Sequence, residues 1–370
     1  MTTVRAAVLR EAGEPSRIET LELADPRVGE VRVRMQASGV CHSDLHVRDG
    51  DWPRPTPIVM GHEGAGVVEA VGPGVSDLAP GQPVALSWMV ACRVCRGCRS
   101  GRPWACTASP SFRHAMPDGA TVFVSPDDAA TPIYSYCAIA TMAEATVMPA
   151  AAAIPMPDGV DPAVAALIGC CVATGVGAVV KTAAVPAGAS VAVIGLGGVG
   201  LSIVMGAVLA GAARIVAIDR APEKFEVALA LGATDVVLAT ADTAEMLEAV
   251  RDLTDGGPDY AFEAIGRVET VELAIACLPV GGTAVLVGLT PFGARAAFDV
   301  YGLVDGARRV LGSNYGSAEP AVDFPWYARW HQSGRLPVER IIDRRIGLDG
   351  LEEAFDRQRR GEGLRQVVVF

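Results

Sequence analysis

"SVAVIGLGGVGLSIVMGAVLAGAARIVAIDR", residues 190–220, decides the fold. A short apolar strand runs into the spacing G-x-G-x-x-G, set by Gly195, Gly197 and Gly200, then into a helix-length apolar stretch and a second strand, "RIVAID", that ends in Asp219. Strand, turn and helix in this order give the glycine pattern its meaning. The first glycine allows the tight turn, the second lets a pyrophosphate approach the backbone, and the third lets helix and strand pack closely. The helix start, with Gly198 in its first turn, offers free N–H groups and partial positive charge to phosphates. Asp219 stands where a carboxylate accepts hydrogen bonds from the adenosine ribose and repels a 2′-phosphate, which favours NAD over NADP; Arg220, directly behind it, softens the preference.

Working outward, strands of four to six residues continue to alternate with helical stretches: "KFEVALALGATDVV", "AEMLEAVRDLTDGGPDYAFEAIG" and "GGTAVLVGL". Crossovers of this length require right-handed connections and a parallel sheet. Residues 182–213 carry no charge and mimic a membrane span in length, but Pro186, Gly188 and the glycine turn break them into a buried strand, turn and helix. The first third is different. Its β-branched runs "VRVRMQASGV" (31–40), "GAGVVEAVGPGV" (64–75) and "GQPVALSW" (81–88) are separated by Gly/Pro turns, the mark of an irregular β-rich domain. After about residue 313 a helix is expected over 320–334, then a helical "LEEAFDRQRRGEG" and a last strand "RQVVVF". The expected organisation is a catalytic domain of residues 1–171 and 314–370, interrupted by an α/β dinucleotide domain of residues 172–313.

Bulk properties narrow the function. At 370 residues the chain exceeds one core. Its net charge of -11 repels a phosphate backbone, so nucleic acid is excluded as a partner, and the basic "RQRRGEGLR" at 357–365 reads as a solvated helix face. The start "MTTVRAAVLREAGEP" lacks the apolar core of a signal peptide, so a cytoplasmic protein with no membrane partner is expected. Nine cysteines in that compartment point to metal rather than disulfides.

"CRVCRGCRSGRPWAC" spaces Cys92, Cys95, Cys98 and Cys106 as C-x2-C-x2-C-x7-C. Four thiolates close a tetrahedral structural site around zinc, and a ferredoxin-type cluster would bring the fourth cysteine after three residues, before proline. Arg93, Arg96, Arg99 and Arg102 interleave the array and are expected to stabilise its negative charge and lower the thiol pKa values. A second set begins in "GVCHSDLHVRDG", residues 39–50. Cys41 and His62 are too far apart in sequence to form a site alone, and "IGCCVATGVGA", residues 168–178, supplies Cys170 and Cys171 as third-ligand candidates. Two thiolates and a neutral imidazole leave a fourth position open, as a catalytic zinc requires.

"GHEGAGVVEAVGPGV", the four-cysteine lobe, "GCCVATGVGA", "GLGGVG" with Asp219, and "DYAFEAIG" together resemble the zinc-dependent alcohol dehydrogenases of the medium-chain dehydrogenase/reductase family, over essentially the whole chain. The resemblance implies a Rossmann-type doubly wound parallel sheet domain inserted in a β-rich GroES-like catalytic domain, and two Zn2+ per subunit, one catalytic and one structural. The long span from Cys106 to Cys170 resembles the larger branch, which implies a homodimer. Cys41, His62 and Cys170 are implied as catalytic-zinc ligands, Cys171 replacing the family's usual glycine. Glu63 is implied as a carboxylate near the metal and Asp44 as the one that orients the ligand histidine. Ser43 and His46 match the proton relay, which in the family includes a cofactor ribose hydroxyl, and His42 a basic residue near the pyrophosphate. Thr174 matches the nicotinamide-side threonine, Lys224 the adenosine-ribose lysine, Arg365 a pyrophosphate contact and Trp88 a substrate-pocket wall. "TMAEATVM", 141–148, departs from the family, which has aromatics around the glutamate. His114, His331, Cys137 and Cys277 match no site residue and read as structural or surface positions.

The implied reaction is reversible, NAD-linked oxidation of a primary or secondary alcohol to an aldehyde or ketone. Its alternatives within the branch are a thiol-adduct formaldehyde dehydrogenase and an alcohol dehydrogenase that holds NAD so tightly that it needs an external acceptor. The alternative of another class is a non-enzymatic zinc- and nucleotide-binding protein. The alcohol itself is not legible, because residues 107–140 have no pattern that gives their conformation.

Overall fold

Strand Glu30–Gly39 organises the first part of the chain, because Val31, Val33, Met35 and Ala37 are buried in alternation with Arg32, Arg34 and Gln36. The structure is a computed structural model that describes residues 1–370. It packs as two units: Met1–Cys170 with Glu319–Ser333 and Ile342–Phe370, and Cys171–Ala318 with Gly334–Ile341.

In the first unit, strand Glu30–Gly39 pairs antiparallel with Glu63–Val71, Ala145–Pro149 and the C-terminal strand Arg365–Val369. Pro83–Leu86 and Ala153–Pro155 extend this sheet on one side and Ile342–Ile346 on the other. A second sheet is ordered Phe123–Val124, Arg17–Leu23, Thr2–Leu9, Ile58–Val59 and Tyr134–Ser135. The register sets Gly39 opposite Glu63. The segments leading to Cys41 and His62 therefore leave the same end of one antiparallel pair, which is how residues remote in sequence meet. Only glycine fits at 39, where a Cβ would lie 2.0 Å from Glu63 Oε2.

The second unit has a six-stranded, all-parallel sheet ordered Asp235–Leu238, Arg214–Asp219, Ser190–Ile194, Tyr260–Glu263, Thr283–Leu286 and Arg309–Gly312. In chain order this is 3-2-1-4-5-6, the doubly wound arrangement in which a dinucleotide binds where the order reverses, past the first strand's C-terminal end. Helix Gly198–Ala210 starts there.

The stretch 182–213 divides, as expected, into strand Ser190–Ile194, a turn and helix Gly198–Ala210. A separate helix, Pro162–Ala183, is long and apolar enough to cross a membrane, but 89% of its apolar window is buried within the fold. One expectation changes. The basic cluster is only partly a solvated face: Arg357 and Arg360 pair with Glu362 and Arg359 with Asp49, but Arg365 is buried.

Candidate active site

Helix His42–Asp49 begins immediately after Cys41. Asp44, fully buried in its first turn, collects three donors: Cys41 N at 3.2 Å, Gly61 N at 3.2 Å and His62 Nδ1 at 3.1 Å. Because Nδ1 faces Asp44, Nε2 is the nitrogen that His62 turns to the other ligands. The third ligand, a second sulfur, comes from the helical run Pro162–Ala183, whose turns widen over Ile168–Val172. Gly169 permits its close approach, since a Cβ there would be 2.7 Å from the Leu86 carbonyl. One ligand atom each from Cys41, His62, Glu63 and Cys170 falls within 4.8 Å of all the others, and all four residues are buried. Cys170, not Cys171, brings its sulfur into this group.

These residues fit a zinc ion by the chemistry of the donor set. A hydrogen bond from Cys170 lowers the Cys41 thiol well below its ordinary range, against burial and helped by His62. Burial pushes the His62 imidazole down, but Asp44 and Cys41 outweigh it and hold it well above its usual value. Burial raises Glu63 to about 7, opposed by Arg365, whose Nη2 donates to Glu63 Oε2. Glu63 Oε1 is buried without a hydrogen-bond partner, an acceptor beside the three ligands. Arg365, matched by the resemblance to a cofactor contact, lies on Glu63 and is 5% exposed.

Ser43 and His46 follow on the same helix, both half-buried. His46 Nδ1 is 2.8 Å from Asp51 Oδ2, and its ring stacks on Trp52 with centroids 4.7 Å apart. His42 stands edge-on to His46 at 5.4 Å. Trp88 is partly buried against the core of Val31, Val84 and Val90. Asp51, Trp52 and Tyr136 are absent from the sequence reading. Tyr136 meets the His62 ring edge-on at 5.4 Å and stacks on His114. His114 is buried, accepts Cys137 N–H at Nδ1, and is lowered to about 4 by burial, with a smaller contribution from Arg54. The one available sequence signal was the aromatic two residues beyond Gly50, a position where a left-handed glycine turns the chain back onto its helix.

The sulfurs of Cys92, Cys95, Cys98 and Cys106 also lie within 4.8 Å of one another, which suits a closed four-thiolate zinc site. Only two of the four thiols are lowered, and not chiefly by the arginines, while burial pushes Cys98 up to about 12 and raises Cys106. Backbone N–H groups of Val94 and Cys95 lower Cys92, and those of Cys98 and Thr107 lower Cys95 to about 6. Arg93, Arg96, Arg99 and Arg102 point to solvent, Arg93 onto Glu319 and Arg102 onto Ser100. Peptide dipoles folded around each sulfur act at contact distance, whereas exposed guanidinium charges are screened.

In the second unit the glycine turn fits a dinucleotide. Gly195 has φ 97°, a Cβ on Gly200 would lie 1.7 Å from the Gly195 carbonyl, and a Cβ on Gly197 would meet nothing within 4 Å, which leaves open space beside the backbone. Asp219 Oδ2 accepts from Leu196 N at 2.7 Å and Oδ1 from Ala221 N at 2.9 Å, so the carboxylate is fixed to this turn. Lys224 Nζ is 3.6 Å from it, and Arg220 is exposed. Thr174 is half-buried on helix Ala173–Gly177, which packs closely on the cofactor helix through Gly175, 2.5 Å at its Cβ position from Val199 O.

Comparison with known proteins agrees with this geometry. The alcohol dehydrogenase GroES-like domain matches residues 27–158, and the zinc-binding dehydrogenase domain matches residues 198–333. S-(hydroxymethyl)glutathione dehydrogenase of Paracoccus denitrificans is 35% identical over 376 residues, covering 99% of each chain. Among solved structures, benzyl alcohol dehydrogenase from Acinetobacter calcoaceticus superposes with a TM-score of 0.93 at 30% identity, covering 100% of both chains. An alcohol dehydrogenase zinc-binding domain protein from Burkholderia ambifaria gives 0.93 at 36% identity, covering 100% of this chain and 99% of its own.

Proposed function

Because the chain belongs to the zinc-dependent alcohol dehydrogenases of the medium-chain dehydrogenase/reductase family, we propose that Cys41, His62 and Cys170 hold its catalytic ion and that Ser43 and His46 carry the substrate proton. The enzyme oxidises an alcohol to an aldehyde or ketone with NAD. The observation that supports the site assignment best is the buried meeting of two sulfurs and an imidazole whose other nitrogen is held by Asp44.

Bound zinc supplies a Lewis acid that lowers the pKa of a hydroxyl, and bound NAD supplies the hydride acceptor. Asp44 fixes the His62 ring so that Nε2 faces the ion. Ser43 Oγ takes the hydroxyl proton as it gives up its own, which the relay passes on to His46 for release to solvent. Glu63, neutralised by Arg365, stands beside the ligands as a reserve donor. Gly195, Gly197, Gly198 and Gly200 receive the pyrophosphate, and Asp219 and Lys224 the adenosine ribose. The domain limits of 1–171 with 314–370 and 172–313 are supported by the compact grouping, which differs chiefly in drawing Gly334–Ile341 into the dinucleotide unit.

A homodimer is supported by the open edge strand Arg309–Gly312 of the second unit and by Phe292, Val300, Tyr301 and Val304, exposed large apolar side chains in the preceding residues. A cytoplasmic site of action is supported by nine free cysteines, most of them assigned here to thiolate ligation. A second substrate reading, an S-hydroxymethyl thiol adduct, is favoured by the name of the Paracoccus relative. NAD reduction with a panel of aliphatic and aryl alcohols, and with formaldehyde with and without glutathione, separates the two. Turnover of free alcohols without thiol supports the main reading, and turnover only with both formaldehyde and glutathione replaces it.

A further inference from the structure

We propose that Asp51 is a positioning residue for the proton path, selecting the tautomer of His46 that leaves Nε2 as the proton acceptor. The inference rests on the reading of Ser43 and His46 as the proton carriers. Helix His42–Asp49 ends at Gly50, whose left-handed backbone (φ 86°) turns the chain back on itself. Trp52 N–H then donates to the His46 carbonyl at 3.2 Å and closes the reversal. One imidazole is thereby held on three sides. Asp51 Oδ2 lies 2.8 Å from Nδ1, the Trp52 ring stacks at 25° to the imidazole plane, and His42 meets its edge at 62°.

A carboxylate only accepts hydrogen bonds, so Nδ1 carries the hydrogen and the lone pair of the neutral ring is on Nε2. Nε2 makes no hydrogen bond to protein. The proton balance follows. The substrate O–H bond breaks, Ser43 Oγ gains that proton and gives up its own, the relay delivers a proton to Nε2, and the imidazolium formed is paired with Asp51 until it releases a proton to water. Asp51, 47% exposed in its side chain, then returns the ring to the Nδ1–H form. The titratable groups at the ring are Asp51, from the loop after the helix, and His42, from the helix itself.

Asp51→Asn tests the assignment, because the isosteric amide keeps the packing but can donate to Nδ1 and stabilise the wrong tautomer. For alcohol oxidation at neutral pH, kcat should fall roughly 10-fold or more, with KM values for NAD and alcohol changed by less than about 2-fold. The deficit should shrink as pH rises and hydroxide takes the proton, while zinc content stays at the wild-type level. His46→Gln should be slow, and adding Asp51→Asn to it should cause no further loss. Wild-type kcat and pH profile in Asp51→Asn beside a slow His46→Gln overturns the role of Asp51 alone, as does a further loss in the double variant. Wild-type kcat in His46→Gln removes the relay and this inference with it.

Discussion

Glu63 and Arg365 come from opposite ends of the first unit's chain and are buried against each other beside the metal ligands. Burial alone would leave Glu63 reluctant to ionise, and Arg365 is what opposes it. Arg365→Leu should therefore leave Glu63 protonated and short of its donor and destabilise the protein by about 1–3 kcal/mol, read as a lower urea midpoint; an unchanged midpoint would contradict the pairing. His114 makes a separate prediction. Its imidazole is held near 4 when folded and titrates at 6.5 when unfolded, so the unfolded chain binds one more proton between those values. Its contribution is complete above pH 6.5, and roughly 3 kcal/mol is lost as pH falls to 4. In His114→Gln the slope of stability against pH in that window should shrink by about one proton, and an unchanged slope would contradict the burial argument. Residues whose chemistry shows in their spacing, such as the four cysteines of the lobe, were legible in the sequence. Asp51 and Trp52 were not, because their role comes from a chain reversal that sequence spacing does not display.

Among elements, the clearest are those with a period. Strand Ser190–Ile194, the glycine turn and helix Gly198–Ala210 follow from apolar runs and a spacing that physical packing imposes. Gly200→Ala puts a methyl 1.7 Å from the Gly195 carbonyl, so the turn must move. NADH affinity should drop about 10-fold or more, the scale of a 1–3 kcal/mol overpacking penalty, when followed by fluorescence titration, with both zinc ions retained; wild-type affinity would contradict the turn's role. Residues 107–140 resisted sequence reading for a physical reason. His114, Cys137, Ala138 and, at the end of the segment, Ala140 adopt left-handed backbone with φ between 44° and 62°, a conformation uncommon outside glycine and disfavoured for Cys and Ala. That segment is held by tertiary contacts: Ser135 N donates to the His114 carbonyl, and Thr146 Oγ1 to the Ile139 carbonyl. The thiol lobe was legible as a metal site but not in its electrostatics, since the amides that lower Cys92 and Cys95 depend on loop geometry.

At the scale of the whole molecule, the account is a division of labour between a β-rich unit that gathers two ligand sets and a parallel-sheet unit that presents a dinucleotide turn. The alternation of strand and helix, the family resemblance and the glycine spacing made this architecture readable before any coordinate. The convergence of Cys41, His62 and Cys170 came from the register of one strand pair and one widened helical turn, which the sequence implies only through resemblance. Metal analysis of a variant series tests that convergence most directly. The wild-type subunit should bind two zinc ions, Cys41→Ala, His62→Ala and Cys170→Ala should each keep one and lose alcohol oxidation, and Cys171→Ala should keep both. Two zinc ions and full turnover in Cys170→Ala, or loss of an ion only in Cys171→Ala, would contradict the account.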